Sequence, residues 1–259
     1  MSDSNYQTGK TLELFRPGGS PDEVPYYTHH MTYLESRKSF AREIGRPELF
    51  EFIDHWQLYV GQENLSRFLT IYEVFREIQN VPGDIVELGS WQGANLLGMA
   101  KALRHLNPDS AKSIYSFDSF EGLTNPALED NFDEDLRGKY RGDFDKLSAA
   151  ILLYNFENQV FLKRGMIENT VPRFAEENSN RNLSLIYYDA DFFEPAETMF
   201  EYLAPMLSVG GIILLDEYGT PQWPGETKSA DKFLSLHKNF VGKKIITSKQ
   251  PTLRITRIS

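Results

Sequence analysis

The chain contains no cysteine. That excludes disulfides, thiolate metal sites and cysteine nucleophiles. It also lacks any run of basic residues; Lys243-Lys244 is only a pair. With 27 Lys and Arg against 37 Asp and Glu, the formal net charge is −10. Such a surface repels phosphate backbones, so no nucleic-acid partner is expected. No apolar stretch approaches the ~18 residues that would span a bilayer, so no membrane partner is expected either. The opening MSDSNYQTGK has no apolar h-region. No signal peptide is therefore expected, and the cytoplasm is the default compartment. Internal repeats and low-complexity segments are absent as well.

What is present suits one folded unit with a sizeable core: 259 residues, 41% hydrophobic and 25% charged. Residues 1–80 read as an N-terminal arm and helical extension, poised for lid or oligomer contacts, and residues 81–259 as the main domain. Within the arm, Pro17, Gly18, Gly19, Pro21 and Pro25 predict irregular chain over residues 1–30. Tyr26, Tyr27, His29 and His30 could let that arm fold over a site. From 31 to 79 the pattern is helical, with Leu65, Phe68, Leu69, Tyr72, Phe75 and Ile78 marking one buried face.

Beyond Pro82-Gly83 the texture changes to short apolar runs alternating with amphipathic stretches. Strands are predicted at 84–88, 113–117, 160–163, 183–188, 211–215, 244–248 and 253–258. Helices are predicted at 94–106, 144–155, 171–178, 195–207 and 230–240. Residues 122–142 are acidic and read as an inserted loop. Alternating strands and helices predict an α/β fold, a mostly parallel sheet with helices on both faces. The last two strands have no helix between them. They must pair through a turn at 249–251, which makes the C-terminal end of this seven-stranded sheet antiparallel.

Ligands of open α/β sheets bind at the carboxyl ends of the strands. After the first strand stands Glu87-Leu88-Gly89-Ser90-Trp91-Gln92-Gly93. Gly89 and Gly93 permit a tight turn and close backbone approach, but at four-residue spacing they are not the dinucleotide fingerprint. Glu87 would oppose a pyrophosphate, yet can accept from an ammonium-bearing ligand. That combination favours S-adenosylmethionine. Asp118, with Ser119 beside it, ends the second strand where a ribose diol is commonly held. Gly165, Met166 and Ile167 follow the third strand and suit an adenine ring, or equally the core.

The fourth strand ends in Asp189-Ala190-Asp191 and the fifth in Asp216-Glu217. Four carboxylates at neighbouring strand ends demand compensation, and Mg²⁺ with its preference for oxygen ligands would provide it. Such a metal can acidify a substrate hydroxyl while a nearby carboxylate takes the proton. His55, His105 and His237 lie in helical stretches and read as structural. Trp223 and Pro224 could shape an acceptor pocket or simply pack.

Glu-Leu-Gly-Ser-Trp-Gln-Gly, Ser-Phe-Asp-Ser-Phe-Glu-Gly-Leu, Asp-Ala-Asp-Phe-Phe-Glu-Pro-Ala and Gly-Gly-Ile-Ile-Leu-Leu-Asp-Glu-Tyr-Gly, in this order, resemble the macrocin O-methyltransferase family over about residues 65–240. These enzymes methylate sugar hydroxyls of natural products. The resemblance implies a Rossmann-like class I methyltransferase domain that uses S-adenosylmethionine and Mg²⁺. Carried over residue by residue, it implies metal ligands at Asp189 or Asp191, with Asp216 and Glu217, and a general base at Asp189 or Asp191. Family members usually carry two aspartates after the fifth strand, where this chain has Asp216-Glu217. The resemblance also implies self-association, with N-terminal segments near the active site.

The expectation is thus a sugar O-methyltransferase acting on a glycoside or nucleotide sugar, as a homo-oligomer. Glu87, Gly89, Ser90, Gly93, Asp118, Ser119, Gly165, Met166, Ile167 and Asp189 are the expected cofactor-binding residues. The alternatives are a catechol-type O-methyltransferase with the same metal logic, a dinucleotide-dependent oxidoreductase, and a non-catalytic S-adenosylmethionine-binding protein.

Overall fold

A computed structural model describes residues 26–259, with side chains described from residue 33 onward. The arm expected over residues 1–30 falls outside the described residues up to 25, and the side chains of His29 and His30 fall outside them too. Helix begins earlier than expected, with α1 at Tyr26–Glu43, followed by α2 at Leu49–Ile53 and α3 at Gln62–Glu77.

The domain then runs β1 (Asp84–Leu88), α4 (Ala94–Leu106), β2 (Ile114–Asp118), α5 (Phe144–Leu153), β3 (Val160–Arg164), α6 (Ile167–Glu177), β4 (Leu183–Tyr188), α7 (Phe193–Tyr202), β5 (Leu207–Leu215), α8 (Pro224–Leu236), β6 (Phe240–Lys244) and β7 (Leu253–Arg257). The sheet order is β3-β2-β1-β4-β5-β7-β6. Strands β1 to β5 are parallel, and β7 inserts antiparallel between β5 and β6. β1 and β4 are buried along their whole length, because helices cover both faces.

Side-chain alternation divides the core in two. Ile85, Ile114, Leu185 and Leu214 face α3, α4 and α5. Val86, Leu88, Phe117, Tyr188 and Leu215 face α6, α7 and α8. The chain reverses between β1 and the sheet's other half at the β1/β4 boundary, since β2 and β3 extend to one side and β5 to the other. A crevice at such a switch point is where open α/β sheets hold ligands.

Several boundaries differ from expectation, and α7 ends at Tyr202 rather than 207 while β5 starts at Leu207 rather than 211. Helix α8 starts at Pro224 rather than near 230, because proline suits the first helical position and needs no N–H partner there. It ends at Leu236, so that Phe240 can pair with Arg257 and begin β6 four residues earlier than expected. Helix α6 starts at Ile167 with Met166 as its N-cap, which moves Ile167 out of the loop and into the core. The buried face of α3 also differs. Ile71, Val74 and Phe75, together with Ile78, are buried, whereas Phe68 and Leu69 are exposed. The residues of α3 that enter the sheet's core lie in its C-terminal half, while Phe68 borders Gly98 of α4 and stays partly open to solvent. Among the described residues, no helix is long and apolar enough to cross a membrane.

Candidate active site

A cleft opens over the carboxyl ends of β1, β2, β3 and β4. It is lined by Gly89, Asp118, Ser119, Met166, Ile167, Asp189 and Asp191 from the expected set. Residues the sequence did not single out also line it, among them Trp91, Thr124, Tyr140 and Phe192. A larger surface groove of ≈ 550 Å³ beside Phe200, Phe233 and His237 contains none of the expected residues.

The loop after β1 is held by Asp118. Its Oδ2 accepts from the Ser90 and Trp91 amides at 2.8 Å each, and its Oδ1 accepts from the Phe120 amide at 2.6 Å. Asp118 thus braces the loop from within while one side faces the cleft. The Ser90 hydroxyl turns inward and shares a 2.5 Å hydrogen bond with Ser116, which in turn donates to Glu87. Glu87 is fully buried, its Oε1 has no partner, and burial pushes its pKa up to about 8 against the Ser116 hydrogen bond.

The glycines do different things. Gly89 has φ +92° and runs so close to β4 that an added Cβ would sit 2.0 Å from the Asp189 carbonyl oxygen. Gly93 caps α4 in a left-handed conformation and faces Leu147 of α5, a packing contact away from the cleft. Gly165 donates its amide to the Asp118 carbonyl at 2.9 Å, and Met166 receives the Thr124 hydroxyl at its sulfur, 3.9 Å away.

Strained backbone gathers around this cleft. Trp91 (φ 43°), Phe120 (φ 59°), Tyr140 (φ 58°) and Asp191 (φ 63°) are all non-glycine residues in the left-handed region. Conformations of this kind cost of order 1–3 kcal/mol each and concentrate at functional sites. The Trp91 and Tyr140 rings meet edge to face, 5.8 Å apart, and tie the inserted loop to the loop after β1. Trp223 is buried against Phe192 and Leu123 and so packs beneath the inserted loop.

The acids collect beside this cleft. Asp189 accepts from Asn95 at 3.1 Å. Asp216 is buried, accepting the Tyr187 hydroxyl at 2.5 Å and an Arg67 guanidinium nitrogen at 2.7 Å. Another nitrogen of Arg67 lies 3.8 Å from Asp189. Gln250 joins the group by accepting from Arg67 and donating to Glu217. Burial raises the Asp189 pKa well above the carboxylate range; the charges of Asp216 and Asp191 add to this and Arg67 opposes it. Burial likewise raises Asp216, with Arg67 as the main opposing influence. Asp191 is pushed up to about 8 by burial and then by Glu217 and Asp216.

Arg67, Asn95 and Gln250 went unnoticed in the sequence, and so did Glu226. The last is a fully buried α8 residue that accepts the Glu217 amide at 3.0 Å and leaves Oε2 without a partner. Glu226 holds the Glu217 backbone from below. Only its place in the first turn of α8, two residues after Pro224, could have hinted at this.

The donor chemistry of Asp189, Asp191, Asp216 and Glu217 fits a hard divalent cation. Every donor is an oxygen, and their mutual repulsion calls for positive charge. Among the described residues, however, no three acidic or histidine side chains form a ready-made metal cluster. Arg67 engages two of the acids instead.

A seven-stranded sheet of this order, with a cleft at the β1/β4 switch point, defines a class I methyltransferase fold. The calicheamicin methyltransferase CalS11 superposes with a TM-score of 0.72 at 24% identity, over 99% of each chain. The O-methyltransferase NovP superposes with a TM-score of 0.62 at 20% identity, covering 75% of this chain and 80% of its own. The macrocin O-methyltransferase (TylF) family model matches residues 54–239, and the chain belongs to that family. Among curated relatives, an 8-demethyl-8-(2,3-dimethoxy-α-L-rhamnosyl)-tetracenomycin-C 4'-O-methyltransferase of Streptomyces olivaceus is 30% identical over 145 residues. That match spans 53% of this chain and about half, 54%, of the relative. The demethyldecarbamoylnovobiocin O-methyltransferase of Streptomyces niveus is 29% identical over 199 residues, covering 73% of this chain and 72% of its own.

Proposed function

We propose that this chain transfers a methyl group from S-adenosylmethionine to a hydroxyl of a sugar, on a glycosylated natural product or its nucleotide-sugar precursor, with Mg²⁺. The observation that carries the reading is the acidic group of Asp189, Asp191, Asp216 and Glu217 set beside a cleft that Gly89 and Asp118 shape. Family membership and the names of the curated relatives support the acceptor class.

In this reading Glu87, Ser90, Gly93 and Gly165 build the cofactor loops from beneath. Gly89, Asp118, Ser119, Met166, Ile167 and the Asp189 edge meet the cofactor. Asp189, Asp216 and Glu217 would hold Mg²⁺, with Asp191 in reserve as a fourth ligand. When bound there, the metal would lower the pKa of a coordinated hydroxyl and relieve the repulsion among the acids.

Asp191 is the better placed base. It lines the cleft, and no hydrogen bond among the described residues ties up its carboxyl group. A carboxyl group raised to about 8 keeps its proton at neutral pH, so nearby positive charge must restore the carboxylate before it can accept a proton. When bound, S-adenosylmethionine would supply the methyl group to the acceptor oxygen and depart as S-adenosylhomocysteine, while Asp191 would take the hydroxyl proton.

Calorimetric titration with S-adenosylmethionine and S-adenosylhomocysteine, then methyl transfer to rhamnosides and other deoxysugar glycosides with and without chelator, tests the reading. Binding together with chelator-sensitive transfer is expected. A folded protein that binds neither ligand overturns it.

A second reading has one observation in its favour. Trp91, Tyr140 and Phe192 line the cleft, and a flat catechol acceptor would stack on such walls. Competition between a catechol and a glycoside for the labelled methyl group separates the two. We infer further that the 81–259 domain works in the cytoplasm as a homo-oligomer held through its N-terminal extension. Exposed Phe52, Trp56, Leu58 and Tyr59 there support it, and light scattering tests the oligomeric state.

A further inference from the structure

Two of the three acids assigned above as principal metal ligands, Asp189 and Asp216, share a single basic partner, and Glu217 is joined to it through Gln250. Arg67 donates to Asp216 at 2.7 Å and stands 3.8 Å from Asp189. It also donates to Gln250, whose amide nitrogen donates to Glu217. No other basic side chain forms an ion pair with any of these acids among the described residues.

Arg67 is not part of the sheet domain's strand ends. It projects from α3, in the segment before β1. Ion pairs pin α3 on either side of it, Glu63 with Lys249 at 3.1 Å and Glu77 with Arg254 at 2.7 Å. The helix is therefore anchored along the β7 side of the sheet while the Arg67 side chain spans the gap to the acids. That side chain is 23% exposed, which leaves it a route into solvent.

A guanidinium does not lose its proton at any accessible pH, so it leaves such a position only by moving. A divalent cation bound to Asp216 and Asp189 would compete for the same oxygens and repel the guanidinium at close range. We propose, resting on the metal-assisted reaction above, that Arg67 is a resident counter-ion that holds the ligand acids together in the metal-free protein and is displaced when a divalent cation binds.

Displacement would have a second effect. Gln250 would lose the Arg67 contact at its carbonyl oxygen, and with it one of the two contacts that fix the amide donating to Glu217. Loading and rearrangement of the α3–Gln250–Glu217 contacts are one event. By linkage, whatever favours the Arg67 contact weakens the metal, and removal of that contact strengthens it.

The test is direct titration of the full chain with Mg²⁺ and with Mn²⁺, by calorimetry and by the shift in melting temperature. Arg67→Gln removes the charge at similar length and is expected to bind metal about tenfold tighter than wild type, in the usual range of coupling between sites. Its metal-free form is expected to melt lower than wild type, and metal should raise its melting temperature by more. Arg67→Lys retains a charge without the fork that reaches several partners, and its affinity is expected to fall between the two. Should Arg67→Gln fail to fold, Arg67→Lys decides alone.

Variants that bind metal no tighter than wild type, while wild type does bind it, overturn the counter-ion role and leave the metal-assisted reaction standing. Absence of binding in wild type and variants alike overturns the metal-assisted reaction, and the displacement falls with it.

Discussion

Gly89 and Asp189 meet backbone to backbone: a Cβ placed on Gly89 would lie 2.0 Å from the Asp189 carbonyl oxygen. The loop after β1 and the acidic end of β4 are therefore seated directly against each other. Parallel pairing sets this up, since Leu88 registers with Tyr188 and the Asp189 amide donates to the Leu88 carbonyl at 2.8 Å. The loop proposed to receive the cofactor and the acids proposed to serve the acceptor are thus fixed relative to one another by one missing side chain.

Gly89→Ala is expected to be destabilising by about 3 kcal/mol or more, because it combines a left-handed φ with a backbone clash that cannot rotate away. Urea denaturation checks the loss. Retained stability would show that the two loops can part.

Stability should depend on pH through Glu87. Its pKa rises from an ordinary 4.5 to about 8 on folding, so the native state binds the extra proton within that window. Stability is then greatest on the acid side and falls as pH rises from about 4.5 to 8. The slope from this group is at most about 1.4 kcal/mol per pH unit. Glu87→Gln should flatten a melting-temperature profile across this window; an unchanged slope would mean that Glu87 is ionised where it lies.

Asp191→Asn should lower the rate of methyl transfer by roughly 10²–10⁴-fold, the usual worth of a general base, with little change in cofactor affinity. If Asp189→Asn shows the large loss and Asp191→Asn does not, the base is Asp189.

Asp216→Asn should remove metal-dependent turnover and largely spare binding of S-adenosylhomocysteine. Asp216 contacts Arg67 and Tyr187, and it is not among the residues lining the cleft. Calorimetry beside a turnover assay separates the two effects. Equal loss of both would remove Asp216 from its assigned place.

Asp118→Ala should weaken cofactor binding more than Ser119→Ala. Asp118 accepts three backbone amides from two loops, whereas among the described residues the Ser119 hydroxyl accepts only the nearby Glu121 amide at 3.0 Å. Comparable affinities for the two variants would show that the loop keeps its shape without Asp118.

The strands from β1 to β5 were legible because helices cover both faces of the sheet, which favours runs such as Leu183–Tyr188 and keeps Ile85, Val86 and Leu88 apolar around the buried Glu87. Helix starts were less legible. Pro224 opens α8 in a first turn with few apolar residues, and Ile167 opens α6 directly after Gly165-Met166, so both read as loop. Phe68 and Leu69 misled for the opposite reason: they continue the apolar rhythm of α3 yet remain exposed outside the core.

At the site, the acids could be found because each directly follows a recognisable strand, and strand ends in a parallel sheet converge. Met166, Asp118 and Asp191 line one cleft for that reason. Their partners could not be found this way. Arg67 lies 149 residues from Asp216, on a helix outside the strand-helix alternation, and Gln250 lies in the connection from β6 to β7. Nothing near either residue marks it as belonging to the site.

By itself, then, the sequence determined the alternation of strands and helices, the family motifs and the position of every acid at a strand end, all of which are local patterns along the chain. Only the tertiary structure decided what compensates those acids, because charge pairing depends on distance in space. Packing α3 against the β7 side of the sheet is what brings the Arg67 guanidinium to Asp216 and Asp189.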